Sequence, residues 1–233
     1  MGGPQPGTIG GAPIKPQPEL KPVPSGKKTL GIDVSHYEPI LDYVKAKAGG
    51  VEWMYTKATE GTGHIDITLR KHVAAAKPAG LLTGAYHFMH ASMDGELQAK
   101  IFLSTISGLV LDLPPCLDWE SSSGDGLPAL KQKVVALQWL DAVEKATGRI
   151  PMIYGGEAHL REMNLGDNFA RYPLWLAHYG VKEDRLKIPA PWARYTAWQY
   201  TDAETVPGLA PGHHVDANWF NGSVEELRIF AKG

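Results

Sequence analysis

The chain carries a single cysteine, Cys116, in 233 residues. No intrachain disulfide is available, so the core alone must hold the fold, and a reducing compartment is tolerable. An excess of charge is also missing: 23 Lys and Arg stand against 25 Asp and Glu, a net charge of -2. Nucleic acid is therefore disfavoured as a partner, because it calls for a basic face. No run of about 18 apolar residues occurs, so membrane insertion is not expected. The phosphate-cradling signature Gly-x-Gly-x-x-Gly is absent, which weakens an open dinucleotide-binding sheet. His-Glu-x-x-His and cysteine clusters are absent too, and the closest histidine pairs are His87-x-x-His90 and His213-His214. Neither a metal nor another cofactor is expected from that pattern. Met1-Gly2-Gly3-Pro4 has no basic region and no apolar region behind it, so no secretory leader is expected.

What is present is sufficient for a packed domain: 43% of residues are hydrophobic and 21% charged, which argues against wholesale disorder. About half of residues 1–26 are proline or glycine. Such a segment buries too little apolar surface to offset its ordering entropy. Residues 1–28 are accordingly expected to form a flexible tail or linker, and residues 29–233 one folded domain. There, strand-like runs at 30–35, 51–58, 81–89, 115–120, 150–154, 173–179, 196–201 and 215–220 alternate with helical stretches at 40–48, 67–78, 94–107, 127–147 and 157–164. A last helix is expected at 224–230. In the clearest helix, Val134, Leu137, Leu140 and Val143 mark the expected core face, and Gly148 the stop. Strand–helix alternation predicts a parallel sheet, and eight strands suggest closure. The segment 202–214 is short and rich in Pro and Gly, so the predicted fold is an irregular α/β barrel with fewer than eight helices.

In such a barrel catalytic groups gather where the strands end. Asp33 lies in the first run, Asp118 and Glu120 close the fourth, and Asp216 lies in the eighth. Strand alternation puts Asp118 and Glu120 on one face, with Leu117 and Trp119 toward the helices. First and eighth strands are neighbours in a closed barrel, so Asp33 and Asp216 are expected to meet. Four acids on strands are costly to bury, and their mutual repulsion raises some of their pKa values, which makes a general acid available near neutral pH. Tyr86, Tyr154, Trp175 and Trp198 accompany the acids, and aromatic faces beside carboxylates suit a sugar polymer. Cys116 reads as a buried core thiol.

Six motifs in order carry a resemblance: Gly31-Ile32-Asp33-Val34-Ser35, Lys57-Ala58-Thr59-Glu60-Gly61, Gly84-Ala85-Tyr86-His87-Phe88, Leu117-Asp118-Trp119-Glu120, Trp198-Gln199-Tyr200 and Val215-Asp216-Ala217-Asn218-Trp219-Phe220. Over about residues 29–231 the chain resembles the lysozymes of glycoside hydrolase family 25. It departs from their pattern at Ala217 and Trp219, where larger aliphatic or other apolar residues often stand. The resemblance implies a flattened eight-stranded β/α barrel. It also implies hydrolysis of the β-1,4 bond from N-acetylmuramic acid to N-acetylglucosamine in bacterial peptidoglycan. Glu120 would be the general acid/base, with Asp118, Asp33 and Asp216 completing the acidic site. Glu60, Tyr86, Tyr154, Trp175 and Trp198 are the expected substrate contacts.

The resemblance favours retention of configuration, with the substrate's N-acetyl group as nucleophile and Asp118 orienting it. A nucleophilic Asp118 and an inverting water stay open alternatives. Two other functions compete: a catalytically silent glycan-binding module and a metal-dependent peptidoglycan amidase or deacetylase. The intact Asp118-x-Glu120 pair argues against the first, the missing ligand pattern against the second. A monomer acting at the bacterial cell wall is expected. It would reach the wall after accumulating in the cytoplasm, as a phage endolysin does, or by another export route.

Overall fold

The computed structural model describes residues 27–39 and 41–233, so almost all of the expected tail lies outside the described residues. In chain order the elements are β1 (Thr29–Val34), α1 (Tyr43–Ala48), β2 (Trp53–Glu60), β3 (His64–Ile65), α2 (Leu69–Ala76), β4 (Leu82–Phe88), α3 (Gly95–Ile106), β5 (Cys116–Asp118), α4 (Ala129–Thr147), β6 (Met152–Gly156), α5 (Glu157–Glu162), β7 (Leu174–Ala177), β8 (Ala197–Glu204), β9 (Val215–Phe220) and α6 (Val224–Lys232). Eight strands close a ring in the order β1-β9-β8-β7-β6-β5-β4-β2, with β1 returning to β2, and β3 hangs from β2 as a short hairpin. Among the described residues no helix is long and apolar enough to cross a membrane.

The sheet is not wholly parallel, contrary to the expectation from strand–helix alternation. Strand β9 runs antiparallel to both β8 and β1. A parallel return needs a crossover of a dozen or more residues, usually a helix, and the segment 205–214 is too short for one. Asp216 is the second residue of β9. Because the strand is reversed, its start lies at the same end of the barrel as the C-terminal ends of the parallel strands. A parallel β9 would have sent Asp216 to the opposite end.

Strand alternation divides the apolar residues into an interior and an exterior set. Trp53, Tyr55, Cys116, Met152 and Trp175 pack inside the barrel, and Leu227 and Phe230 of α6 join them beside Phe220, at the end away from Asp216. Ile32, Val34 and Met54 face outward with residues of α1 and α2, while Leu117, Trp119 and Ile153 meet α3, α4 and α5. Cys116 is fully buried, as expected of a core thiol.

The buried face of α4 departs from the expected one at Val134, while Leu140 and Val143 are buried as expected. Val135, Ala136, Trp139, Leu140 and Val143 are buried, whereas Val134 is 49% exposed. Trp139 sets the face: it is the largest side chain of the helix and stacks on His87 at 5.6 Å. Gln132 is buried on the same face because its amide accepts from Trp119 Nε1 (3.1 Å) and donates to the Leu127 carbonyl (2.7 Å). Gly148 ends the helix in the left-handed region at φ 70°, as its position suggested.

Two inward glycines make room for the aromatic interior. A Cβ on Gly31 would lie 2.1 Å from Trp53 Cε2, and one on Gly84 would lie 2.3 Å from Tyr55 Cε1. Neither ring is free to move, since Trp53 Nε1 donates to the Thr29 carbonyl (3.0 Å) and Tyr55 Oη to the Pro114 carbonyl (2.7 Å). Overpacking of this kind costs about 1–3 kcal/mol. Gly84→Ala is therefore expected to lower Tm by roughly 3–10 °C with the fold retained, measured by scanning calorimetry.

Candidate active site

The mouth of the barrel is a cleft of about 210 Å³ that brings together Asp33, Asp118, Glu120 and Asp216. Each acid arrives by a different route. Asp33 is the fifth residue of β1 and faces Asp216 across the antiparallel β1–β9 register. Asp118 is the last residue of β5, between Phe88 of β4 and Tyr154 of β6. Glu120 follows two residues later in a turn closed by Ser123, whose Oγ accepts from the Glu120 N–H (2.9 Å) and donates to its carbonyl (2.8 Å).

A polar network under the cleft orients the acids. Asp33 Oδ2 accepts from Asn218 Nδ2 (2.7 Å) and Gln199 Nε2 (2.9 Å), and the Gln199 amide also reaches Asp216 Oδ2 (3.3 Å). Tyr154 Oη and Tyr179 Oη donate to Gln199 Oε1, the former at 2.7 Å, which leaves the Gln199 nitrogen aimed at the carboxylates. Trp175 Nε1 likewise donates to Asn218 Oδ1 (2.7 Å) and fixes that amide. Glu120 accepts from Ser122 Oγ (3.3 Å). In contrast, Asp118 Oδ1 is buried without a hydrogen-bond partner.

Burial, which Lys57 offsets only in part, pushes these carboxyls up. Asp118 stands well above the usual range, first through burial and then through the charges of Glu120 and Asp33. Burial raises Glu120 too, against the hydrogen bond from Ser122, the polar contact with Tyr154 and the attraction of Lys57. In the Asp33–Asp216 pair burial lifts both groups. Hydrogen bonds from Asn218 and Gln199 restrain Asp33, whereas Asp33 and Glu38 drive Asp216 higher. The pair thus holds a proton into the neutral range, through burial first and like-charge repulsion second.

Seven of the nine residues singled out from the sequence line this cleft: Asp33, Asp118, Glu120, Asp216, Tyr86, Tyr154 and Trp175. Tyr154 and Trp175 are almost wholly buried, so their rings wall the cleft from the barrel interior. Glu60 and Trp198 are not among its lining. Glu60 pairs with Lys57 Nζ (2.5 Å) and with His90 Nε2 (3.1 Å). Trp198 packs in the exterior core, on the opposite face of β8 from Gln199, and donates from Nε1 to the His178 carbonyl (2.9 Å). Alternation along the strand separates those two neighbours.

Sequence reasoning did not single out Lys57, Glu38, Tyr37, Gln199 or Asn218. The first four line the cleft, and Asn218 lies beneath it. Gln199 and Asn218 had a legible signal, since both fall inside quoted motifs and alternate with residues that face outward. Glu38 had a weaker one: the Ser35-x-x-Glu38 spacing, realised as hydrogen bonds from the Ser35 N–H (2.7 Å) and Oγ (3.1 Å) to Glu38 Oε2. Beyond Glu120 and Tyr154 the cleft continues into a second groove, along Ser121, Glu157, His159 and Tyr179.

Neither histidine pair noted in the sequence forms a ligand set. His87 is buried between Thr59 and Gln98, and His213 and His214 are exposed. Among the described residues, the His, Cys, Asp and Glu side chains that converge closely enough for a metal are His36, His64 and Asp66.

The sequence model described as Glycosyl hydrolases family 25 matches residues 32–209. The chain is 35% identical over 216 residues to the uncharacterized protein YegX of Escherichia coli K12, covering 91% of this chain and 76% of that one. It is 31% identical over 211 residues to lysozyme M1 of Streptomyces globisporus, covering 86% and 70% respectively. Among solved structures, the bacterial lysozyme from Streptomyces coelicolor superposes with a TM-score of 0.79 at 31% identity, over 88% of this chain and 97% of that one. With the acid-lined barrel mouth and these likenesses together, the chain belongs to glycosyl hydrolase family 25.

Proposed function

We propose that the chain is a lysozyme that hydrolyses the β-1,4 bond from N-acetylmuramic acid to N-acetylglucosamine in peptidoglycan. Glu120 serves as general acid and base, and the substrate's acetamido group serves as nucleophile. The observation that carries this reading is the buried, unpartnered Oδ1 of Asp118 in the same cleft as the raised carboxyl of Glu120. An unpaired buried carboxylate oxygen is costly and is satisfied once a donor enters the cleft. The N–H of a substrate acetamido group is such a donor. The groove beyond Glu120 gives a polymer room on both sides of the proton donor, which suits cleavage within a strand. One chain supplies all four acids, so the reading takes it to work as a monomer at the cell wall.

The steps balance as follows. Protonated Glu120 gives its proton to the glycosidic oxygen while the C1–O bond breaks and the leaving sugar departs as an alcohol. The acetamido carbonyl oxygen closes on C1 and forms a positively charged oxazolinium ring. Its N–H points at Asp118, whose ionised form the new cation favours, so this interaction is stronger in the transition state than in the ground state. Glu120, now a carboxylate, takes a proton from water. The resulting hydroxide equivalent attacks C1, reopens the ring and leaves the product with retained configuration. The Asp33–Asp216 pair, held by Gln199 and Asn218, presents one shared proton and one charge to the sugar bound at the mouth.

Glu120→Gln keeps the shape of the side chain but has no transferable proton. Turnover on peptidoglycan is expected to fall at least about a hundredfold with Tm preserved, measured by release of reducing ends beside a thermal melt. Near-wild-type turnover would remove Glu120 from the role.

Asp118→Asn is expected to cut kcat strongly as well. Incubation of the wild-type enzyme with a fluorinated donor analogue that retains the acetamido group should leave its intact mass unchanged. A stable ester on Asp118 would replace substrate assistance with direct nucleophilic attack, and inverted product anomers by NMR would exclude both.

The acid pair also fixes the sign of a pH effect. A carboxyl raised on folding binds its proton more tightly in the native state. Its stabilisation is therefore complete below the unfolded pKa and is lost as pH rises toward the folded value. Asp216→Asn removes that penalty. It is expected to melt above the wild type at pH 8 and level with it below about pH 4, while activity drops.

A further inference from the structure

We propose that His36, His64 and Asp66 form a binding site for a zinc-class divalent transition metal at the rim of the cleft. One donor atom from each residue falls within a group whose members all lie within 4.8 Å of one another. Tetrahedral zinc with bonds of about 2.0–2.1 Å needs its ligand atoms about 3.3 Å apart, so modest side-chain rotation closes the set. His36 Nδ1 already lies 2.9 Å from Asp66 Oδ2, and the His36 and His64 rings stand 5.4 Å apart. Two imidazoles and one carboxylate leave a fourth position for solvent. That donor set suits zinc, cobalt or nickel rather than the oxygen-seeking magnesium or calcium.

The site is built rather than incidental. Asp66 is 2% exposed, and its carboxylate is anchored by groups that remain in place when a metal binds. Thr68 N–H (2.8 Å) and Thr68 Oγ (2.6 Å) hold Oδ1, and the His36 N–H (2.9 Å) holds Oδ2. The Asp66 N–H is in turn fixed to the Ala58 carbonyl on β2 (2.9 Å). Partners of this kind orient a ligating carboxylate in advance. His64 sits on the exposed side of the β2–β3 hairpin, opposite Glu60, and leaves the site open to ions from solvent.

The placement gives the metal a structural consequence. His36 belongs to the segment after β1 that carries Tyr37 and Glu38 into the cleft, and His64 and Asp66 belong to the hairpin after β2. A bound ion would pin the first segment to the second. It would steady the cleft rim without touching the acids that do the chemistry.

The test uses the full chain without a polyhistidine tag. Titration with Co²⁺ is expected to give the visible d–d bands of a tetrahedral site, saturating at one equivalent and lost when Zn²⁺ is added. Zn²⁺ at about a hundred times its Kd should raise Tm by roughly 5–10 °C. His64→Ala removes an exposed ring and leaves the core intact, and it should weaken binding at least about tenfold, as should His36→Gln. The double variant His213→Ala, His214→Ala should bind as the wild type does. No saturable Co²⁺ spectrum, a spectrum unchanged in His64→Ala, or binding lost only in the double variant would each overturn the proposal.

Discussion

The antiparallel pairing of β9 with β1 is the constraint on which the rest depends. It closes the ring of eight strands, and it sets Asp216 directly opposite Asp33 at the end where the parallel strands finish. Two carboxyls in adjacent register positions cannot both ionise cheaply away from water. The barrel accommodates them by retaining a proton and by bringing the Gln199 and Asn218 amides against them. Those amides are aimed by Tyr154, Tyr179 and Trp175, so aromatic residues serve here as hydrogen-bond donors as much as packing volume.

The aromatic interior and the polar mouth are two ends of one packing arrangement. Gly31 and Gly84 give up their side-chain volume so that Trp53 and Tyr55 can fill the lower barrel. Trp175 and Tyr154 continue that packing upward to the floor of the cleft, edge to face with ring centroids 5.1 Å apart. A floor made of large, close-packed rings holds the acids in a poorly solvated setting, and burial heads the causes that raise every one of the four. Stability given up there is the usual companion of a preorganised site.

The rim is built differently from the floor. Lys57 lies in an ion pair with Glu60 and over the Phe88 ring at 5.0 Å, and His90 bridges Glu60 and Asp125. Lys57 and Glu60 sit at the end of β2 and Phe88 at the end of β4, whereas His90 and Asp125 lie in the loops beyond β4 and β5. Together with the His36–His64–Asp66 group these contacts tie the loops after β1, β2 and β4 to one another. Loops that surround a rigid barrel are where the fold admits variation, and charged or ligating side chains at that level adjust the rim without disturbing the strands.

Much of this protein was legible in its sequence because the informative patterns are local. Period-2 runs, glycine stops and acids at strand ends depend on neighbours a few residues away, and they located the strands, the end of α4 at Gly148, and the four carboxylates of the cleft. Strand direction was not local. Whether β9 runs up or down depends on how long the preceding connection is relative to the barrel it must cross. The face of α4 was not local either: Val134 and Val135 are equally apolar, and only the fit of Trp139 against His87 chose between them. Trp198 and Gln199 are adjacent in one motif, yet one packs outside and the other holds Asp33 beneath the cleft. His36 stands far along the chain from His64 and Asp66, with no motif to join it to them. Composition and spacing determined which residues could serve. Closure of the barrel decided which of them meet, because contact across a closed sheet is set by register and direction, and these exist only once all eight strands are paired.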